Sequence, residues 1–255
     1  VSGLEVVAVL VAGLAAGAIN TVVGSGTLIT FPTLLAIGVP PVTANVSNSI
    51  GLVPGSVSGA IGYRRELAGQ AGRAVRLAAA SVVGGTVGAV LLIALPDEAF
   101  STIVPVLIVL GLVMVVAQPR ISRWVAARHE ATGGLPEQGA WWVWPGVLLV
   151  GVYGGYFGAA QGILLMAVMG IGIAESLQRL NAVKNILGAV VNAVSGVVFV
   201  VVAEVDWAVV GLLAAGSVVG GQVGAHYGRR LPPAALRGTI VVVGVVALAV
   251  FWTRG

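Results

Sequence analysis

Charged and apolar residues in this chain fall into separate blocks rather than alternating. No Asp, Glu, Lys or Arg occurs at positions 6–63, and similar charge-free runs cover 77–96, 99–119, 138–174, 185–203 and 207–228. A bilayer-spanning helix needs about 20 apolar residues. The first run is therefore long enough for nearly three crossings, and 138–174 for nearly two. The pattern predicts ten hydrophobic segments, five per half: 4–22, 26–39, 42–63, 75–95 and 99–117, then 141–158, 161–174, 180–203, 207–227 and 238–253. The second segment of each half is short for a full crossing. Segments of Val, Leu, Ala and Gly argue for helices, since an outer-membrane barrel would alternate polar and apolar residues.

Composition agrees. The hydrophobic share is 58% and the charged share 9%, with a mean hydropathy of +1.06. Soluble domains carry about 25% charge, so a water-facing surface cannot be built from this chain. The net charge of +4 comes from loop arginines, placed where a positive-inside bias would put them; nucleic-acid binding is not expected. Cysteine is absent, which excludes disulfides and thiolate metal sites. The segment 6–23 lacks a basic leader and an obvious cleavage site, so it reads as a retained first helix.

A shift of 136 superposes the two halves. Ser81-Val82-Val83-Gly84-Gly85-Thr86-Val87-Gly88-Ala89 falls on Ser217-Val218-Val219-Gly220-Gly221-Gln222-Val223-Gly224-Ala225, with eight identities in nine positions. At the same offset Asn45 meets Asn181, Gly26 meets Gly162, and Leu95-Pro96 meets Leu231-Pro232. Loop charge swaps sides between the copies. The loop after segment three carries Arg64, Arg65, Arg73 and Arg76, and its mate carries Glu204 and Asp206. The loop after segment four carries Asp97 and Glu98, and its mate Arg229, Arg230 and Arg237. Cytoplasmic loops collect Lys and Arg, so the halves should be inverted. The expected fold class is an all-α polytopic membrane protein of two inverted repeats, 1–117 and 141–255, with short discontinuous second segments. The linker 118–140, with Arg120, Arg123, Arg128 and His129, should be cytoplasmic in the plasma membrane, and both termini external, against which Arg254 argues weakly.

Inverted repeats commonly place a solute site near the midplane, at broken helices whose ends offer unpaired backbone groups. Two breaks stand out: Gly24-Ser25-Gly26-Thr27 and Ala160-Gln161-Gly162. Glycine permits a bend or close approach, a helix start presents N–H donors, and Ser25, Thr27 and Gln161 add side-chain donors. Close helix packing is the competing explanation for any single glycine, and the only one for Gly84, Gly85, Gly88 and their mates. A second polar cluster opens each third segment, Asn45-Val46-Ser47-Asn48-Ser49 against Asn181-Ala182-Val183-Lys184-Asn185. Asn45 and Asn48 share a helical face, as do Asn181 and Lys184. Asn192 joins the second stripe with Ser56 as its aligned mate, and Asn20 aligns with Tyr156 near the end of segment one.

Lys184 is the only lysine. It either snorkels to the cytoplasmic surface or supplies an anion-attracting charge, as intramembrane ionisable groups often do. Arg179 reads as a topology anchor paired with Glu175 one turn earlier. All nine carboxylates lie at segment ends or in loops. Proton-coupled carriers commonly use buried carboxylates or histidines, and only His226, near a segment end, is available. The inside-negative potential favours anion exit by about 2.3 kcal/mol per charge per 100 mV.

The glycine-rich break, the short segment after it, Ala44-Asn45-Val46-Ser47-Asn48-Ser49, and Tyr63 before Arg64-Arg65, in a duplicated Gly- and Val-rich chain, resemble the sulfite exporter (TauE/SafE) permease family over nearly the whole length. That resemblance implies export of sulfite, a sulfonate or a related organic anion by alternating access, without cofactor or metal. It implies cavity positions Asn20, Ser25, Thr27, Asn45, Asn48, Ser49, Gln161, Asn181, Lys184 and Asn185, beside Gly26 and Gly162 at the breaks. The second break, Gly158-Ala159-Ala160-Gln161-Gly162, departs from the glycine run expected in the family. The expected partners are a small anionic substrate and the lipid bilayer, with homo-oligomerisation left open. The alternatives are an anion channel, a structural subunit, and an intramembrane hydrolase using Ser25 with His226 as base.

Overall fold

The computed structural model describes residues 3–131, 139–228, 238, 240–243 and 245. Among these residues every regular element is an α-helix: α1 (Gly3–Val22), α2 (Thr27–Ala36), α3 (Pro41–Gly51), α4 (Val53–Gly62), α5 (Ala71–Ala94), α6 (Asp97–Ala131), α7 (Val143–Tyr156), α8 (Gln161–Gly172), α9 (Leu177–Val202) and α10 (Trp207–Tyr227). By length and composition α1, α5, α6, α9 and α10 can each cross a bilayer. The chain is an all-helical, multi-pass membrane protein. Arg229, Arg230, Arg237, Leu231-Pro232, Arg254, much of segment 238–253 and part of the linker lie outside the described residues.

Two segments depart from expectation. The third segment of the first half is not one helix over 42–63 but two, α3 and α4, meeting at Leu52. Pro54 lacks the N–H that would bond back to Ile50, and its ring crowds that carbonyl. Val190 stands at the matching position of α9, which runs unbroken for 26 residues. The fifth segment, expected at 99–117, is a 35-residue helix that passes Pro105 and Pro119 into the linker. Arg and Ala, both good helix formers, recur after Pro119 and carry it on.

Packing between the halves is reciprocal. A Cβ on Gly84 or Gly88 of α5 would strike the carbonyls of Leu148 or Val152 on α7. On Gly220 or Gly224 of α10 it would strike those of Leu14 or Ala18 on α1. The first segment of each half thus lies along the fourth segment of the other, with glycine allowing backbone contact. Gly85 faces Val191 of α9, and Gly221 faces Gly55 of α4, so third and fourth segments are exchanged as well.

The contacts also give helix directions. Along α10, positions 213, 217 and 225 meet 51, 55 and 62 in order, so α3–α4 runs parallel to α10. Glu175 and Val191, at the start and middle of the α9 region, meet Arg73 and Gly85, so α9 runs parallel to α5. Ile50 lies against Gly196 while Tyr63 packs with Ala182. The two third segments are therefore antiparallel, and the halves run in opposite senses along the bundle.

One correction concerns register. The offset of 136 holds from the third segments onward: α3 and α9 begin at 41 and 177, α5 and α10 at 71 and 207. Across the breaks it is 134: α1 and α7 end at 22 and 156, and α2 and α8 begin at 27 and 161. The second copy is longer by two residues within α8. Gly26 therefore matches Ala160, not Gly162, and Gln161 matches Thr27.

Candidate functional site

Both breaks are built the same way. After α1 the N–H groups of Val23 and Gly24 both bond the Ile19 carbonyl, at 2.7 and 3.0 Å; after α7 those of Phe157 and Gly158 both bond Tyr153, at 2.9 and 3.1 Å. Gly24 and Gly158 have φ of +87° and +73°, the left-handed conformation that ends a helix and favours glycine. Beneath them Phe31 and Phe157 pack edge to face, with ring centroids 5.1 Å apart. The breaks touch. Gly162 N–H donates to the Gly24 carbonyl at 3.0 Å, and a Cβ on either glycine would overlap the backbone of the other. Helices α2 and α8 leave this junction with no side-chain cap at their first turns, so their positive ends face it.

The broken ends of α1 and α7 are closed by the opposite half. Asn45 Nδ2 donates to the Tyr156 carbonyl at 2.9 Å, and Asn181 Nδ2 to Thr21 at 3.2 Å. These bonds satisfy end-of-helix carbonyls that would otherwise lie buried and unpaired. At the α1 end Lys184 adds its ammonium, with Nζ donating to the Asn20 carbonyl at 2.9 Å and to Thr21 at 3.1 Å. Its position is 2% exposed, so the surface-snorkelling alternative does not describe it. A cation there meets the negative end of the α1 dipole. An ammonium has three donors, and these bonds occupy two. Asn48, which matches Lys184 in the first half, instead contacts Thr27 Oγ1 at 3.3 Å and accepts from Thr30 Oγ1.

A small cavity opens where these groups meet, lined by Asn20, Gly24, Thr27, Ser56, Gly158, Gln161, Gly162, Lys184, Asn185, Gly188 and Asn192. Its room for water centres is about 20 Å³, on the scale of one water molecule. None of these lining residues is a carboxylate. Asn20, Thr27, Gln161, Gly162, Lys184 and Asn185 of the expected site residues border it. Ser25, Gly26, Asn45, Asn48, Ser49 and Asn181 are buried behind it. Gly26 lies against the Ala16 carbonyl, where a Cβ would come within 2.6 Å, so its smallness serves helix packing. Ser49 Oγ bonds its own helix at the Asn45 carbonyl, 2.9 Å away. Three buried polar atoms near the junction, Ser25 Oγ, Asn45 Oδ1 and Gln161 Nε2, have no hydrogen-bond partner, although most buried polar groups find one.

Sequence reasoning missed the carbonyl of Thr21, which accepts from Asn181, Lys184 and Asn185, because a backbone acceptor leaves no trace in residue type. It also missed Gly188, one helical turn after Lys184, which spacing alone could have found. Ser25 and His226 do not meet as the hydrolase alternative requires: Ser25 Oγ has no partner, and the exposed His226 ring packs on Tyr227 at 4.9 Å.

Outside the junction, Glu175 accepts from Arg73 at 3.2 Å and from Arg179 at 3.0 Å. The expected Glu175–Arg179 pair is present, with Arg73 added from the other half. Burial alone would raise the Glu175 pKa. The Ser176 N–H and the two guanidinium groups outweigh that and hold it below the ordinary carboxylate value.

Comparison with known proteins adds three relatives and a family. A family model described as Sulfite exporter TauE/SafE matches residues 9–251. The chain is 26% identical over 246 residues to a protein of Escherichia coli K12 named as the probable membrane transporter protein YfcA, covering 92% of this chain and 84% of that one. It is 26% identical to the probable membrane transporter protein ORF9 of a Sinorhizobium species, over 94% and 89% of the two chains. To a probable membrane transporter protein of Haemophilus influenzae it is 23% identical, over 97% and 94%. No solved structure matches significantly.

Proposed function

The chain belongs to the sulfite exporter TauE/SafE family, and from this premise we propose that it exports a small sulfur-containing anion, such as sulfite or a sulfonate, by alternating access across the plasma membrane. Membrane transport is the shared description of its relatives; the substrate class and the cycle are our reading. The anion sits at the junction of the two breaks. It takes the third Lys184 N–H and the Gln161 amide, with the positive ends of α2 and α8 facing it.

One observation carries this reading: the junction holds buried donors without partners and an ammonium, and among the described residues no carboxylate lines its cavity. Buried unsatisfied donors are costly, and an anion with several acceptor oxygens would satisfy them together. The cavity's small volume supports an occluding carrier over an open pore. In this reading Arg64 and Arg65 face the cytoplasm together with the central linker, and Glu204 and Asp206 face outward.

The test is transport by the purified protein in liposomes preloaded with sulfite, isethionate or chloride, under an inside-negative potential. Loss of sulfite or isethionate that depends on the protein and saturates with concentration is expected. Chloride leaving as fast, or no protein-dependent loss of either sulfur anion, would contradict the assignment.

A further inference from the structure

We infer that the cleft between α4 and α9 binds one anionic phospholipid, with an acyl chain along the cleft and the phosphate on Arg64. The cleft encloses about 470 Å³. Val53, Val57 and Ile61 line it from α4, and Ile186, Val190 and Ala193 from α9. Both sets repeat at three or four residues, so each forms one stripe along its helix. The α4 stripe is about 12 Å long. Val57 and Ile61 are 44% and 53% exposed, so this chain leaves much of their surface uncovered.

Arg64 stands one turn past Ala60, beside Leu67 at one end of the cleft, and it belongs to two spaces at once. It closes the apolar cleft, and it also borders a polar basin of about 470 Å³ with Arg65, Gln222 and His226. Glu66 lines the same basin, one carboxylate against two guanidinium groups. No carboxylate forms an ion pair with Arg64 or Arg65 among the described residues.

The two spaces match an amphiphile that is apolar at one end and anionic at the other. Basic pockets beside membrane helices recognise lipid phosphates in this way. A helix from a second copy would fill the cleft but would supply no phosphate to the exposed Arg64 guanidinium. A free anion would use the basin and leave the cleft uncovered. The phospholipid fits both.

Native mass spectrometry of delipidated protein, given equal dioleoylphosphatidylglycerol and dioleoylphosphatidylcholine, tests the inference. One lipid should bind preferentially, and it should be the phosphatidylglycerol. Arg64→Gln should lower its occupancy about fivefold, the effect of one basic side chain near a membrane surface, while Arg64→Lys keeps most of it. Ala193→Trp should fill the cleft and lower occupancy of the same lipid. Val57→Trp makes the same test from the lipid-facing side if the first variant unfolds. Equal binding of the two lipids would overturn the site, as would Arg64→Gln binding like wild type. So would displacement of the lipid by millimolar inorganic phosphate, or a Trp variant that abolishes a dimer while lipid occupancy stays unchanged.

Discussion

Lys184 Nζ lies 2.9 Å from the carbonyl oxygen of Asn20, so the protein's only lysine closes the broken end of a helix in the opposite half. The ammonium has two tasks, capping α1 and offering its remaining donor to the cavity. Lys184→Gln should therefore lose both. Hydrogen bonds to charged groups contribute about 1.5–3 kcal/mol, so anion affinity should fall roughly ten- to a hundredfold while thermal stability also drops. Lys184→Arg keeps the charge with a different reach and should fall between. Affinity by calorimetry and unfolding temperature separate the tasks; a variant changed in stability alone would reduce Lys184 to a cap.

Glycines at the junction should differ sharply in what they tolerate. Gly24→Ala adds a methyl group where Gly162 already lies, at a φ of +87°, and should cost more than about 2 kcal/mol through overlap and strain. Gly188 has nothing within 4 Å of its would-be Cβ although it lines the cavity. Gly188→Ala should leave stability unchanged or raise it by about 0.5–1 kcal/mol, while narrowing the cavity and weakening the anion. Unfolding temperatures of both variants, with transport of the second, check this pair.

Much of this arrangement was legible in the sequence because it rests on chemistry that residue types display. Charge-free runs located most of the helices. The Asn45 and Asn181 stripes pointed at the breaks. Register across the breaks was not legible. Gly26 and Gly162 align as letters, yet α8 is longer by two residues, and only backbone conformation and hydrogen-bond pattern identify Gly158 as the counterpart of Gly24. Nor could letters show that Asn45 and Asn181 spend their donors on backbone carbonyls. The division at Leu52 was within reach, since Pro54 is written in the chain.

Acid should weaken one link between the halves. Glu175 has its pKa lowered in the folded protein by Arg73, Arg179 and the Ser176 N–H. Its contribution to stability is therefore fully present above the unfolded carboxylate pKa and is lost as pH falls through the lower folded value. Wild type should exceed Glu175→Gln in unfolding temperature at pH 7. The gap should close below about pH 4, near and under the ordinary carboxylate range. No gap at pH 7 would mean the ion pairs contribute nothing.

Orientation in the membrane is open to labelling, because the chain contains no cysteine. Arg65→Cys should react with an impermeant maleimide only from the cytoplasmic side. Glu98→Cys and Asp206→Cys should react only from outside. Arg65 and Asp206 reacting from one face would contradict the opposed halves.

The central claim is that the unpartnered donors at the junction hold the anion, and Gln161 tests it most directly. Its buried Nε2 has no partner, so Gln161→Leu removes an unsatisfied group and should leave the unfolding temperature equal or higher. In the anion complex the same amide makes a hydrogen bond to a charged ligand, so sulfite affinity should fall roughly ten- to a hundredfold. Calorimetric titration of sulfite into wild type and Gln161→Leu reads this in one experiment. Weakened binding at undiminished stability is the predicted result; equal sulfite affinity in the two proteins would place the anion elsewhere.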